Sequence, residues 1–149
     1  MSKFNVRVYG LLINEDNQVL ISDEWERGMR FSKFPGGGLE YGEGMIDGLK
    51  REFIEECNLD VDVVQHYYTT DFFVKSIFGD TQLIAVYYIV KNTEPVKLAT
   101  KTKAFDFDGD TEPQQSFRWV KIDELTPEDA TFPVDKYVVE LLKDGYGLS

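Results

Sequence analysis

Residues 35–59 read PGGGLEYGEGMIDGLKREFIEECNL, and the fold of the chain turns on the reading of that stretch. Its second half has helical periodicity: Ile46, Leu49, Phe53 and Cys57 recur at spacings of three and four, which predicts a helix over 44–57 with these side chains toward a core. Glu52, Glu55 and Glu56 stand at i, i+3 and i+4. They share an arc of roughly 100° on that helix, centred about 110° from the apolar stripe. Like charges so spaced oppose a helix by roughly 0.2–0.5 kcal/mol per pair, and a bound cation would reverse the sign. Oxygen donors alone suit a hard ion such as Mg²⁺ or Mn²⁺. A solvated acidic helix face has the same pattern, and the three carboxylates alone do not separate the two readings. The glycines 36–38 are similarly open: they let a backbone approach phosphate or metal closely, or they form an ordinary loop.

The spacing across the whole stretch is more specific. Gly37, five residues, Glu43, seven residues, then Arg51-Glu52-Phe53-Ile54-Glu55-Glu56-Cys57 and Asn58-Leu59 resembles the Nudix box, G-x5-E-x7-R-E-U-x-E-E-x-G-U, where U is bulky and apolar. Every defined position matches except Asn58, which stands where the family has Gly. That position follows the helix and commonly takes the left-handed conformation, which Asn tolerates best after Gly.

The resemblance implies a Nudix-type α/β/α sandwich with a mixed β-sheet, residues 1–149 forming a single Nudix hydrolase domain. It implies a Mg²⁺- or Mn²⁺-dependent hydrolase of diphosphate linkages. Glu52, Glu55 and Glu56 would be metal ligands, with the Gly37 carbonyl a further one. Arg51 would orient a neighbouring glutamate, its i+4 relation to Glu55 allowing an ion pair. Glu43 would support the loop–helix geometry or reach the metal through water. In the chemistry implied, a carboxylate accepts a proton from the attacking water. Glu52 is the first candidate, followed by Glu55 or a carboxylate of a later loop.

Outward from the box, 4–13 and 18–22 read as strands separated by a hairpin-like turn at Asn14–Asn17. Residues 61–75 and 82–91 read as long strands joined at Gly79-Asp80, and 83–90, apolar on both alternating faces, as a strand covered on both sides. A further strand is expected over 116–122 and a helix over 134–143, with Pro133 near its start and Gly145 past its end. The polar tract 93–115 reads as a flexible loop or lid. It contains Asp106, Asp108, Asp110 and Glu112, but Thr111 and Phe117 fall where a calcium loop needs Gly and Glu, so that motif is rejected. Many Nudix enzymes carry an additional metal-binding glutamate just before an Arg-Trp strand like Arg118-Trp119. Gln115 and Ser116 occupy the adjacent positions here, leaving Glu112 as the substitute or as part of a plain acidic loop.

For substrate, Arg27, Arg30 and Lys33 precede the glycine loop and could meet phosphate oxygens, or could simply be a solvated basic segment. Trp25, Phe31, Tyr41 and Phe132 could stack on a base, although packing explains any one of them more economically. His66, the only histidine, reads as an ordinary strand residue.

Composition bounds the rest. At 149 residues, 42% hydrophobic and 29% charged, the chain is that of a soluble globular protein. Its one cysteine, Cys57, forms no internal disulfide, and no signal-like or membrane-spanning apolar run is present, so a cytoplasmic location is expected. A net charge of -11 argues against a nucleic-acid polymer as partner, while a metal could still bring an anionic small-molecule diphosphate to an acidic protein. A homodimer is compatible with the sequence. The activity expected is cleavage of a diphosphate linkage, in a nucleoside diphosphate derivative. The alternative is a nucleotide-derivative-binding sensor module with little turnover, and behind it an acidic interaction protein without metal.

Overall fold

The computed structural model describes residues 3–148. The chain divides into two compact units, one of Met1–Leu12 with Pro35–Lys97, the other of Ile13–Phe34 with Leu98–Ser149.

The first unit is built on β1 (Phe4–Leu12), β4 (Gly36–Gly38), β5 (Val61–Thr69) and β6 (Gln82–Asn92), in the order β4-β1-β6-β5. β1 and β6 run parallel, while β4 and β5 pair antiparallel, so the sheet is mixed. Helix α1 (Met45–Cys57) packs on β1, β4 and β5, burying Gly48, Leu49, Phe53 and Cys57. Ile46 departs from the expected stripe and is 48% exposed: it lies in the first helical turn, beyond the sheet's cover.

Two strand expectations change here. The glycine run is a strand, not a loop, because Gly36, Gly37 and Gly38 register against Tyr9, Val8 and Arg7. The strand expected over 61–75 ends at Thr69. Its register against β6 shifts between Val63 and Gln65 and again between His66 and Tyr68, and such irregularities bend a strand away from its partner. Thr70 then closes the ladder through its side chain, accepting from the Ala85 N–H at 2.9 Å and donating to the Ala85 carbonyl at 3.1 Å. Residues 70–81 continue as an irregular connection, touching β6 again at the Lys75–Gln82 bridge. Along β6, Ala85, Val86, Tyr87 and Val90 are buried and Ile84, Tyr88 and Ile89 half-buried.

The second unit holds an antiparallel sheet ordered β3-β2-β7, formed by β2 (Gln18–Glu26), β3 (Met29–Lys33) and β7 (Gln114–Lys121). Helix α2 (Pro133–Lys143) starts on Pro133, as expected, and packs on a 3₁₀ turn at Pro127–Asp129. β1 and β2 belong to different sheets, yet Asn14–Asn17 is the hairpin-like turn expected, closed by the antiparallel Ile13–Val19 bridge and the Asn14 N–H on the Gln18 carbonyl (2.9 Å). Within it the Asn14 carboxamide oxygen accepts the N–H groups of Asp16 and Gln18. A further hairpin lies one connection later: β2 and β3 join through Arg27 (φ 52°) and Gly28 (φ 74°), and two consecutive positive φ angles match the right-handed twist of the flanking strands. No helix among the described residues is long and apolar enough to cross a membrane.

Candidate functional site

Helix α1 carries the carboxylates, and its two ends fix their position. At the start, Glu40–Glu43 form a turn closed by the Glu43 N–H on the Glu40 carbonyl (3.3 Å), with Gly42 at φ 95°. At the end, Asn58 takes the left-handed conformation (φ 49°, ψ 43°) and its N–H reaches the Ile54 carbonyl at 3.0 Å, an αL cap of the kind usually closed by Gly. The sequence's one departure from the box therefore leaves the helix end intact.

Between these ends Arg51 is the hub. Its Nε and Nη2 grip Glu43 as a fork (3.0 and 2.7 Å), its Nη1 donates to Glu52 and Glu55 (both 3.1 Å) and lies 3.6 Å from Glu40, and its Nη2 also donates to the Gly38 carbonyl (3.1 Å). One guanidinium thus ties the glycine strand, the turn and two further helical positions together, using the fixed planar geometry that an ammonium lacks. The Glu43 carboxyl is pulled down to about 2 by its bond from Arg51 and the Glu40 N–H, and Arg51 is raised in return.

Glu52 is the opposite case. Its side chain is 14% exposed, and its pKa is pushed up to about 7 by burial and by the adjacent Glu56, with Arg51 opposing both. It rests against β4: a Cβ placed on Gly37 would lie 2.6, 2.7 and 2.8 Å from the Glu52 carboxylate atoms. Gly48 performs the same service for Glu43, since a Cβ there would lie 2.8 Å from Oε1. In the sequence, the only trace of this contact is an isolated glycine inside a helical pattern, a signal of close approach.

The structure brings Gly37, Glu43, Arg51, Glu52, Glu55 and Glu56 together. Oxygen donors alone, two of them neighbouring carboxylates whose charges oppose one another, fit a hard divalent cation. Among the described residues, no three His, Cys, Asp or Glu side chains are grouped so as to hold a metal ion as they stand. Glu55 is exposed and bonded to Arg51, and Glu52 is shared between Arg51 and Glu56.

Arg27, Arg30 and Lys33 belong to the second unit. Arg27 is exposed at the β2–β3 tip, and Arg30 lies over the Trp25 ring (4.6 Å) and near Phe107 (5.8 Å). Lys33 is 5% exposed and bonded to Glu24 at 3.0 Å, so it is not part of a solvated basic segment. Phe31 packs on Phe132, whereas Tyr41 in the first unit is wholly exposed. Glu112 accepts the Gly28 N–H at 2.6 Å, His66 meets the Thr69 hydroxyl at 2.7 Å, and Lys101 is raised by its bond to Asp108. The second unit also contains a buried polar group that the sequence did not betray. Asp23, fully buried, accepts from Ser32 Oγ (2.6 Å) and Arg118 Nε (2.8 Å), and Arg118 reaches on to Asp129 (3.2 Å).

A family model described as NUDIX domain matches residues 3–142. Among solved structures, the chain resembles the MutT protein from Methanosarcina mazei Go1 (17% identity, TM-score 0.72, covering 98% of this chain and 97% of that one). It also resembles a NUDIX hydrolase from Nitrosomonas europaea (19%, 0.71, 96% and 90%) and an ADP-ribose pyrophosphatase from Streptococcus suis 89-1591 (16%, 0.61, 93% and 86%). At these identities the likeness is one of fold, a mixed α/β architecture with a mixed sheet and two helices. A search among curated proteins finds no match.

Proposed function

The chain belongs to the NUDIX domain family, and on that premise we propose that it is a metal-dependent pyrophosphohydrolase that cleaves a diphosphate linkage in a nucleoside diphosphate derivative. The family match over 3–142 supports treating both units as parts of one such domain. The structural relatives include an ADP-ribose pyrophosphatase and a UDP-X diphosphatase, which favours substrates with a diphosphate between two groups.

The observation that carries this reading is the seating of Glu52 against Gly37 beside Glu56, on a helix held in place by Arg51. Glu52, Glu55, Glu56 and the Gly37 carbonyl would hold the cation, Mg²⁺ or Mn²⁺. Bound there, it would neutralise the diphosphate and acidify a water. The chain's own residues supply the rest. Arg51 and Glu43 fix the helix against the glycine strand, and Arg51 competes for Glu55. Glu52, buried beside Glu56, is the first candidate to accept the proton of the attacking water, ahead of Glu55.

Product release from dinucleotides, nucleotide sugars and nucleoside triphosphates, measured with Mg²⁺ or Mn²⁺, tests the assignment. Glu55→Gln and Glu56→Gln should each lower turnover at least 100-fold while leaving the fold unchanged. Full activity in both would sink the site, and tight binding without turnover by the wild type would make the chain a sensor.

A further inference from the structure

Gly10 lies on β1, outside the glycine–glutamate motif, at a point where both arms of the site meet the sheet. A Cβ built on it would lie 2.4 Å from Phe53 Cε2, 2.8 Å from Phe53 Cζ and 3.2 Å from Val90 Cγ2. Phe53 is fully buried and directly follows Glu52 on α1, so its ring sets how deeply the helix sits on the sheet. On the other side, the Gly10 N–H donates to the Pro35 carbonyl at 2.9 Å, holding the chain at the entrance to β4. The two arms then meet where Glu52 fills the space that a Gly37 side chain would need.

We infer that Gly10 is a positioning residue for this site: its missing side chain fixes the depth of α1 through Phe53, and its N–H fixes the glycine strand through Pro35. This rests on the function proposed above. The tolerance is narrow. Ordinary carbon contacts are about 3.5–4.0 Å, so a methyl group on Gly10 forces the Phe53 ring back by on the order of 1 Å. Close-packed interiors transmit such a shift instead of absorbing it. Catalytic geometry is sensitive at that scale, where a displacement of about 1 Å can cost roughly 100-fold in rate. The shift moves Glu52 relative to Gly37, which the retained N–H bond to Pro35 keeps in place, so it falls on metal retention and kcat, not on affinity for the distant parts of a substrate.

The test compares Gly10→Ala, Phe53→Leu and the double variant, since leucine lacks the two ring atoms that clash. Two quantities are read: kcat and KM on the best diphosphate substrate, and the rise in Tm on adding Mn²⁺ alone. Gly10→Ala should lower kcat 10- to 100-fold with KM within about threefold, and should at least halve the Mn²⁺-induced rise. The double variant should recover most of both relative to Gly10→Ala. Wild-type kcat and metal response in Gly10→Ala would overturn the inference, as would a folded double variant with neither restored. If Gly10→Ala does not fold, the double variant decides: recovery of both supports the inference, and loss of both refutes it. A wild type that hydrolyses no diphosphate refutes the proposed function, while the Mn²⁺ response still tests Gly10.

Discussion

Glu52 keeps its proton to about pH 7 because burial and the Glu56 charge outweigh Arg51, and that imbalance makes stability depend on pH. A carboxyl whose folded pKa lies above its unfolded value favours the folded state while protonated. That contribution is fully present below about pH 4.5 and is lost as pH rises through about 7. Protein stripped of divalent cations should therefore lose on the order of 1–3 kcal/mol between pH 5 and 8, seen as a falling urea midpoint, and Glu52→Gln should flatten the slope. Glu43 works in the other direction: held at about 2, it stabilises above its unfolded pKa and ceases to do so as pH falls through 2. Arg118 offers a test away from the carboxylates. Removing it leaves Asp23 buried without its cation, so Arg118→Ala should cost about 3–5 kcal/mol in denaturant unfolding.

Helix α1 was legible from sequence because a 3.6-residue period, a fixed glycine–glutamate spacing and an αL-tolerant residue at its end agree. Asn58→Ala should cost about 1 kcal/mol in a denaturant titration, since an ordinary side chain is strained at φ 49°, whereas Asn58→Gly should be neutral or slightly stabilising. Other elements were hidden for identifiable reasons. β4 has three glycines and no strand propensity of its own; its conformation comes from pairing with Arg7, Val8 and Tyr9. β3 reads as polar because Ser32 and Lys33 are satisfied by Asp23 and Glu24 across the hairpin, a pairing that residue polarity alone does not announce. β5 looked longer than it is because irregular registers leave no mark in an apolar alternation. Tract 93–115 reads as a lid from its polarity, yet it is tied down where Lys101 bridges to Arg118 and where Glu112 accepts the Gly28 N–H.

At the scale of the whole molecule, the candidate carboxylate cluster was legible in the sequence because it is local: Gly37 to Glu56 is one uninterrupted stretch. The sequence could not show that Gly10 sits under the helix, since that contact depends on how β1 and α1 pack. Nor could it show that the glycine strand closes one margin of a sheet. That margin bears on how molecules behave toward one another. An uncovered sheet edge is a template on which a second chain can add a strand, the first step toward aggregation. Here the edge is only three residues long, and its Gly38 carbonyl already accepts from Arg51. The guanidinium that organises the carboxylates thus also occupies an acceptor that an added strand would use. Arg51→Ala should accordingly increase light scattering on mild heating, more than its loss of stability alone explains, and Arg51→Lys should correct this only in part, having no fork with which to hold Glu43 and Gly38 together.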